Sequence, residues 1–303
     1  MGVGGFSLFI MKKPLIYLLF CILCTSAITA QETPKTNIGV VLGGGGALGF
    51  AHIGALKALE EAGIKSEYVS GASMGAIIGV LYAYGYSPDE IMRLIEEHKA
   101  YKISKIMNFR IFNSKGVSNH KKLSCILNKI LPTDSFDSLR CFFALSMTDI
   151  VNLQPEYAWS GGNLHSKIIA SAAIPAIYEP VRMNNTVYVD GGVTNNLPIE
   201  PLLGKCTTII MIDVHYPDME NTKFSKKDLL IRTGSASIKS TNAPRVKQAN
   251  YYVNFRELQN YGVFDFKFYK TIINIGYRGM KEYLHNNPGL LKAASTGLPE
   301  VKE

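Results

Sequence analysis

The chain has 303 residues, of which 47% are hydrophobic and 18% charged, and its formal net charge is +8. This composition excludes a collagen-like protein, an intrinsically disordered chain and a protein with many membrane spans, and the length fits one large domain better than two. The positive charge is not concentrated in any long run of Lys or Arg. It therefore predicts a basic surface but no nucleic-acid partner.

The amino end has the layout of a secretory signal peptide. Lys12 and Lys13 precede the apolar run LIYLLFCILC, and small residues follow up to Ala30. The run is shorter than the roughly 20 apolar residues of a membrane-spanning helix. We predict a signal peptide at residues 1–30, with Met11 as an alternative start, and an exported protein that is periplasmic or secreted. Its removal lowers the net charge from +8 to +6, which still suits an anionic membrane surface.

The rest of the chain divides by composition into a linker, a domain and a tail. Residues 31–36 form a polar linker, residues 37–285 carry the apolar runs and motifs of a single enzyme domain, and residues 286–303 are predicted to be a polar tail. The functional residues are therefore expected within 37–285.

Two strand–helix units open this domain. The β-branched run IGVVLG ends in glycines and predicts a buried strand. The segment ALGFAHIGALKALEEAGI has apolar residues at three- and four-residue spacing and ends at Gly63, as an amphipathic helix does. EYVSG predicts a second strand and MGAIIGVLYAYG an apolar helix, and Ser87 with Pro88 marks the start of another helix.

Alternating strands and helices predict an α/β fold with a parallel sheet covered by helices. Further strands are predicted at CFFALSMTDI, VYVDG and TTIIMIDV, and further helices at LHSKIIASAA and INIGYRGMKEYL. Residues 101–120 are basic and aromatic without a clean period, which leaves a surface loop, a lid and a membrane-contacting edge open. Segments 101–112 and 251–270 are candidate membrane contacts, with half or more of their aromatic side chains expected in the core.

The first glycine turn matches the dinucleotide-binding fingerprint, with Gly44, Gly46 and Gly49 between a strand and a helix. That fingerprint also expects an Asp or Glu at the end of the second strand, where this chain has Gly71-Ala72-Ser73-Met74-Gly75. A nucleotide-binding enzyme of Rossmann type is therefore a disfavoured alternative. A P-loop is excluded because no Gly-Lys-Ser/Thr follows the glycines.

The second glycine turn fits the pattern Gly-x-Ser-x-Gly at Gly71, Ser73 and Gly75. Flanking glycines let the backbone bend sharply from strand to helix and expose the serine hydroxyl. The positive amino end of the next helix would favour negative charge at that point. Ser73 is therefore a candidate nucleophile.

A nucleophilic serine also needs oxyanion donors and a base. The backbone amides of Gly44, Gly45 and Gly46 are candidates for the donors, since they lie at the carboxyl end of the neighbouring strand. Among the downstream histidines only His215, just after Asp213, follows a predicted strand. The alternative base is a buried Asp.

Asp190 is the acidic candidate for this base. It ends the predicted strand VYVDG and is followed by Gly191 and Gly192, which allow close approach. A buried aspartate whose pKa is raised can accept a proton directly, so a two-residue site would need no histidine.

Four blocks along the chain together resemble the patatin-like phospholipase family. They are IGVVLGGGGALGFAHIGALKALEEAGI, VSGASMGAIIG, ASAAIPAIYEPV and VYVDGGVTNNLPIEP, in that order. The resemblance implies a three-layer α/β/α fold with a mainly parallel central sheet. It also implies a Ser-Asp dyad of Ser73 and Asp190, an oxyanion hole from the glycine run, a lipid acyl ester as substrate, and no metal or cofactor.

Two positions depart from the resembled family. Tyr178 replaces a common phenylalanine, and Leu48 stands where the family usually carries Arg or Lys. The missing positive charge keeps a second alternative open, a catalytically weakened domain that binds lipid.

Overall fold

The computed structural model describes residues 1–2, 37–101, 120–215 and 226–296. The chain divides into two units, Met1–Lys35 and Thr36–Glu303, and every described helix and strand belongs to the second unit. The predicted signal peptide, the linker and most of segment 101–120 lie outside the described residues. Within the described ranges, no helix has the length and apolar character to cross a membrane.

The described elements are eight strands, eight α-helices and several short 3-10 helices. The strands are β1 Ile38–Leu42, β2 Tyr68–Gly71, β3 Phe142–Asp149, β4 Gln154–Ala158, β5 Val181–Met183, β6 Thr186–Asp190, β7 Thr208–Asp213 and β8 Tyr251–Asn254. The α-helices are α1 Ala51–Glu61, α2 Met74–Tyr84, α3 Pro88–Glu97, α4 Lys121–Ile130, α5 Leu164–Ser171, α6 Lys226–Val246, α7 Tyr269–Asn286 and α8 Pro288–Thr296. The 3-10 helices are Gly46–Phe50, Phe136–Ser138, Gly191–Val193, Glu200–Leu202, Arg256–Asn260 and Phe266–Phe268.

The strands form one mixed sheet in the order β5-β6-β3-β2-β1-β7-β8, with β4 also paired to β3. The neighbours β3-β2-β1-β7-β8 are all parallel. The antiparallel pairs, β3 with β4, β3 with β6 and β5 with β6, lie at one side of the sheet. The predicted mainly parallel central sheet is therefore confirmed.

Alternating residues of the central strands pack on opposite faces of the sheet. Val40 and Leu42 of β1 belong to the large buried cluster that contains side chains of α1, α2 and α7. Val41, between them, packs in a second cluster with Leu197 and Ala249. Because both faces are apolar and covered, the sheet is the middle layer of an α/β/α arrangement.

Register places the ends of β1 and β2 at the same level, opposite Leu145 within β3. Leu42 of β1 pairs with Gly71 of β2, and Gly71 pairs with Leu145 of β3. Two residues further along β3, Met147 pairs with Asp190 at the end of the antiparallel strand β6. Ser73 is likewise two residues beyond Gly71, so Ser73 and Asp190 reach the same edge of the sheet from different directions.

Several local predictions hold in the structure. Helix α3 starts with a capping box, in which Ser87 Oγ accepts a hydrogen bond from Glu90 N at 3.3 Å and Glu90 Oε2 accepts one from Ser87 N at 2.8 Å. The predicted strands become β1, β2, β3, β6 and β7. The sequence analysis did not predict β4, β5, β8, α4 or α6.

One segment prediction needs correction, and a second one stays open. Residues 286–303, expected to be a polar tail, contain helix α8, in which Leu290 belongs to the large core cluster and Ala293 is buried. Segment 251–270, a candidate membrane contact, contributes strand β8 to the sheet and buries Phe255, Phe266 and Tyr269, which are core residues. Tyr252 and Phe268 are 36% and 38% exposed, so membrane contact by this segment stays a prediction.

The packing of α1 against α7 depends on two glycines. A Cβ at Gly54 would overlap the backbone oxygen of Ile273, and a Cβ at Gly276 would overlap the backbone oxygen of Ala51. The two helices therefore touch backbone to backbone, with no room for a side chain at either position.

Gly276→Ala is expected to lower the free energy of unfolding by about 1–3 kcal/mol, because the added methyl group forces α1 and α7 apart. Gly234→Ala in α6 is the control, since a Cβ there meets nothing within 4 Å. That variant is expected to be neutral or more stable by up to about 1 kcal/mol. Urea unfolding followed by circular dichroism measures both, and an unchanged stability of Gly276→Ala would contradict the close helix contact.

Candidate active site

Ser73 lies in the sharp turn between β2 and α2. Its backbone has φ 53° and ψ −122°, a left-handed conformation that is strained for a residue with a side chain. The glycines on either side are required by close packing: a Cβ at Gly71 would lie 2.5 Å from the oxygen of Gly75, and one at Gly75 would overlap the oxygen of Leu42. The turn therefore has the geometry expected of a nucleophile elbow.

The carboxylate of Asp190 is in direct contact with Ser73. Ser73 Oγ donates a hydrogen bond to Asp190 Oδ2 at 2.6 Å, and Gly192 N donates one to Asp190 Oδ1 at 2.8 Å. The backbone of Asp190 is held as well, because Thr148 Oγ1 donates to its carbonyl oxygen at 2.8 Å. A Cβ at Gly191 would overlap the backbone oxygen of Ser146, so this glycine permits the close approach.

Asp190 is buried, with 6% of its surface exposed, and this burial sets the basicity of its carboxylate. Burial raises the pKa of Asp190 to about 6, while the hydrogen bonds from Ser73 and Gly192 act to lower it. The carboxylate is therefore mainly ionised at neutral pH and is a stronger base than an exposed aspartate. A base of this kind in contact with a serine hydroxyl can take up its proton.

The glycine run after β1 lies beside Ser73. A Cβ at Gly44 would be 3.0 Å from the Cβ of Ser73. Gly43 N donates to Ile212 O at 3.0 Å, and Gly44 N makes a long bond of 3.4 Å to Asn196 O. Within the described residues, the backbone amides of Gly45 and Gly46 donate no hydrogen bond. Of the three predicted oxyanion donors, Gly45 and Gly46 are thus the ones whose amides remain available.

Two polar residues that the sequence analysis did not single out hold these turns. Ser171 Oγ accepts a hydrogen bond from Ser73 N at 3.0 Å. Asn196 Nδ2 donates to Gly44 O at 3.2 Å, and Asn196 is 1% exposed. Both lie inside quoted blocks, ASAAIP and TNNLP, so a search for polar residues next to the candidate dyad blocks could have found them.

His52 contacts the backbone at the start of the glycine run. It is fully buried on α1, and its Nε2 is 2.7 Å from Gly43 O, so the Nε2–H tautomer donates. Burial lowers the pKa of His52 to about 4, opposed by this hydrogen bond. The imidazole is therefore neutral, and its contact with Gly43 gives it a structural role.

No described histidine side chain forms a hydrogen bond with Ser73. His165 Nε2 is hydrogen-bonded to the carbonyl oxygen of Leu131, and His120 Nε2 to the carbonyl oxygen of Glu179. His215, the alternative base, lies along the wall of the cavity that contains Ser73, and its backbone N donates to Asp213 Oδ1 at 2.9 Å. The structure thus pairs Ser73 with the aspartate candidate.

Leu48, at the position where the resembled family usually has Arg or Lys, is 2% exposed and belongs to the large core cluster. Its backbone N donates to Gly45 O at 3.1 Å, which closes the turn. An apolar residue fits this environment, since a charged group here would have to be buried.

Two cavities meet at Ser73. The larger has a volume of about 380 Å³ and contains Asp190, the glycine run and part of α6, while the smaller has about 70 Å³ and runs beside α2 and α4. Both are lined by Gly46, Ser73, Ile174, Val263 and Phe264. The further lining of the smaller cavity is mostly apolar: Met74, Ile77, Leu123, Ala172, Tyr178 and Phe266, with His120 and Lys122.

The described residues contain no group of three His, Cys, Asp or Glu side chains placed to hold a metal ion. The glycine run also differs from a dinucleotide-binding site in two respects. Strand β2, Tyr68–Gly71, has no acid at its end for a ribose, and Gly44 packs against Ser73, where a pyrophosphate would lie in a Rossmann site. The glycine run is therefore better suited to an oxyanion than to a nucleotide.

Comparison with known proteins identifies the family. Residues 40–203 match the family model described as "Patatin-like phospholipase". An uncharacterized NTE family protein of Mycobacterium tuberculosis, Rv1063c, is 28% identical over 180 residues, which are 59% of this chain and 49% of that protein. Lysophospholipase nte1 of Emericella nidulans is 28% identical over 299 residues, 88% of this chain and 19% of its own length.

Among solved structures, VipD from Legionella pneumophila aligns to this chain with a TM-score of 0.49 at 15% sequence identity, covering 84% of this chain and 67% of that chain. The chain spans about half the length of the mycobacterial relative and about a fifth of the fungal one. Because the family model covers more than half of the 303 residues, the chain belongs to the patatin-like phospholipase family, whose members are lipid hydrolases.

Proposed function

We propose that this protein is a serine acyl hydrolase of the phospholipase A or lysophospholipase type, which cleaves fatty acyl esters of membrane phospholipids or related lipids. The observation that carries the proposal is the 2.6 Å hydrogen bond from Ser73 Oγ to the buried carboxylate of Asp190. It joins a nucleophile to a base at the point where two cavities meet.

In the first half of the reaction, Ser73 Oγ attacks the ester carbonyl carbon while Asp190 Oδ2 takes the hydroxyl proton. The carbonyl oxygen becomes an oxyanion, and the amides of Gly45 and Gly46 donate hydrogen bonds to it. Each such donor typically lowers the barrier by about 3 kcal/mol. When the intermediate collapses, the alcohol leaves with the proton from Asp190 and the acyl group stays on Ser73.

In the second half, Asp190 takes a proton from a water molecule that attacks the acyl-enzyme. The second tetrahedral intermediate uses the same oxyanion donors. Its collapse breaks the bond to Ser73 Oγ, which regains the proton from Asp190, and the fatty acid is released. One carboxylate thus acts as base and then as acid in both halves.

The linings of the two cavities support a lipid substrate. The smaller cavity offers the apolar side chains of Met74, Ile77 and Leu123, which suit part of an acyl chain. In the larger cavity, α6 adds the hydroxyls of Thr233 and Ser237, which suit the polar part of the ester. The ester carbonyl would then lie between them, at Ser73.

The roles of Ser73 and Asp190 are tested by hydrolysis of a soluble short-chain nitrophenyl ester and of phospholipid vesicles. Ser73→Ala and Asp190→Asn are each expected to lower kcat by about 10³-fold or more, because each removes a partner of the proton transfer. His215→Gln, the matched control for the alternative base, is expected to keep activity within about tenfold. Full activity of Ser73→Ala, or no turnover by folded wild type, would refute the proposal.

The pH dependence follows from Asp190. Its pKa is raised to about 6 by burial, and the base must be ionised, so kcat/KM for a soluble ester is expected to fall about tenfold per pH unit below pH 6. A pH profile that is flat from pH 4 to about pH 8 would contradict this assignment.

The same shift predicts a change in stability with pH. Because the pKa is raised from 3.8 to about 6, the folded protein binds this proton more tightly than the unfolded chain, and this contribution is lost as the pH rises through about 6. Asp190→Asn is therefore expected to be more stable than wild type at pH 8, by up to about 3 kcal/mol, but not at pH 4. Unfolding at both pH values measures this, with the exposed Glu97→Gln as control.

We also propose that residues 1–30 direct export and that the mature protein acts in the periplasm or outside the cell, at a membrane surface. The charge and apolar pattern around Lys12 and Lys13 support this. Expression of the full chain should give a processed protein that begins at Gln31. Amino-terminal sequencing checks the cleavage site, and an unprocessed protein retained in the cytoplasm would contradict it.

A further inference from the structure

The turn between β3 and β4 exposes three apolar side chains. Ile150 is 39% exposed, Val151 62% and Leu153 79%. They follow one another closely between Asp149 and Gln154, so the turn carries a small apolar tip, defined here as Ile150, Val151 and Leu153. Clustered apolar exposure of this kind is typical of an interaction surface.

The backbone of this turn is held in one shape by the buried Asp149. Asp149 Oδ1 accepts hydrogen bonds from Val151 N at 2.8 Å and Asn152 N at 3.1 Å, and its Oδ2 accepts one from Asn152 Nδ2 at 2.7 Å. The exposed side chains are therefore presented from a fixed turn.

Leu153 has a conformation that disfavours a bulky apolar side chain. Its φ is 57°, in the left-handed region that Asn and Gly adopt more readily. The chain itself uses Asn at comparable positions, Asn163, Asn184 and Asn185, with φ between 48° and 63°. A leucine that is both exposed and backbone-strained is poorly explained by stability, which points to a function for its side chain.

The register of β3 places the apolar tip beyond the candidate active site. Met147 pairs with Asp190, Asp149 pairs with Tyr188, and Ile150 N donates to Val187 O at 3.0 Å. The tip therefore continues past the level of Asp190 by three or more residues, roughly 10 Å at the rise of a strand. It projects from the sheet edge at which Ser73 lies.

An exposed cation lies on the same sheet, two strands away from β3. Arg182 of β5 is exposed and pairs with Val187, the residue whose carbonyl oxygen accepts the bond from Ile150. The chain as a whole carries a net charge of +8. Apolar side chains with a cation on the same part of the sheet suit the boundary between anionic head groups and acyl chains.

We propose that Ile150, Val151 and Leu153 insert into a lipid surface and dock the edge that carries Ser73 onto it. The occupant is the outer part of a bilayer with anionic head groups. This inference rests on the proposed function, since it supplies the surface from which the lipid ester is taken. Binding through the tip is separate from the chemistry at Ser73, so the two can be tested apart.

The test uses a double variant, Val151→Ser with Leu153→Asn. Asn suits the left-handed backbone at position 153, so the variant is expected to fold with a Tm no lower than that of wild type. Leu203→Asn is the matched control, because Leu203 is 42% exposed and lies at the opposite edge of the sheet. It is two residues before Lys205, whose carbonyl oxygen accepts a hydrogen bond from Asn37, the residue that precedes β1. The double variant and the control are each made in the full chain, once with Ser73 in place and once combined with Ser73→Ala.

Binding is measured with the Ser73→Ala proteins and vesicles of phosphatidylcholine with phosphatidylglycerol. The double variant is expected to bind about tenfold or more weakly, and the Leu203→Asn control within about twofold of the parent. With Ser73 present, vesicle hydrolysis should fall in parallel, while hydrolysis of a soluble nitrophenyl ester stays unchanged.

Equal vesicle binding by the double variant and its parent would overturn the proposal. So would a parent that dimerises in light scattering and loses the dimer in the double variant, because the tip would then contact a second copy. Failure of the proposed function gives a different result: wild type would not hydrolyse the soluble ester, while the binding comparison would still report on the tip.

Discussion

The hydrogen bond from Ser73 Oγ to Asp190 Oδ2 joins two residues that are 117 positions apart in the chain. A direct contact of 2.6 Å tolerates little error, because the two side chains are short and no third group bridges them. The backbones on both sides must therefore be fixed. On one side a parallel strand turns sharply into α2, and on the other the antiparallel strand β6 ends at Asp190. The mixed sheet allows both to arrive at one edge.

This arrangement carries costs that the surrounding structure must offset. Ser73 has a strained backbone, and Asp190 is a buried carboxylate with a pKa raised to about 6. The offset comes from close backbone packing, which needs glycine at Gly75 against Leu42 and at Gly191 against Ser146. The glycine-rich motifs are thus explained by sterics as much as by flexibility. A side chain at any of these positions would push apart the strands that align the pair.

Local signals made the two strand–turn–helix units predictable. Around Gly44 and Ser73, a β-branched run, glycines and apolar helical spacing all indicate the same structure, and the register then brings the two turns together. The contacts of Ser171 with Ser73 and of Asn196 with Gly44 span 98 and 152 residues, and no local pattern specifies them. Strand β5, with three residues at the sheet edge, and the final helix α8 were missed for a related reason: their sequences are weakly patterned and depend on packing.

Strand β3 connects the chemistry to the outside of the molecule. At Met147 it pairs with Asp190, and two residues later Asp149 fixes the turn that carries Val151 and Leu153. A continuous strand is stiff over so short a distance, so an apolar tip docked on a lipid surface would also set the height and tilt of Asp190 above it. A buried base requires a dry cavity, whereas its substrate lies in a membrane. The tip follows β3, and Asp190 ends the strand β6 that pairs with it. This arrangement reconciles the two demands, because the cavity mouth can be pressed against the lipid without moving the hydrogen bond inside.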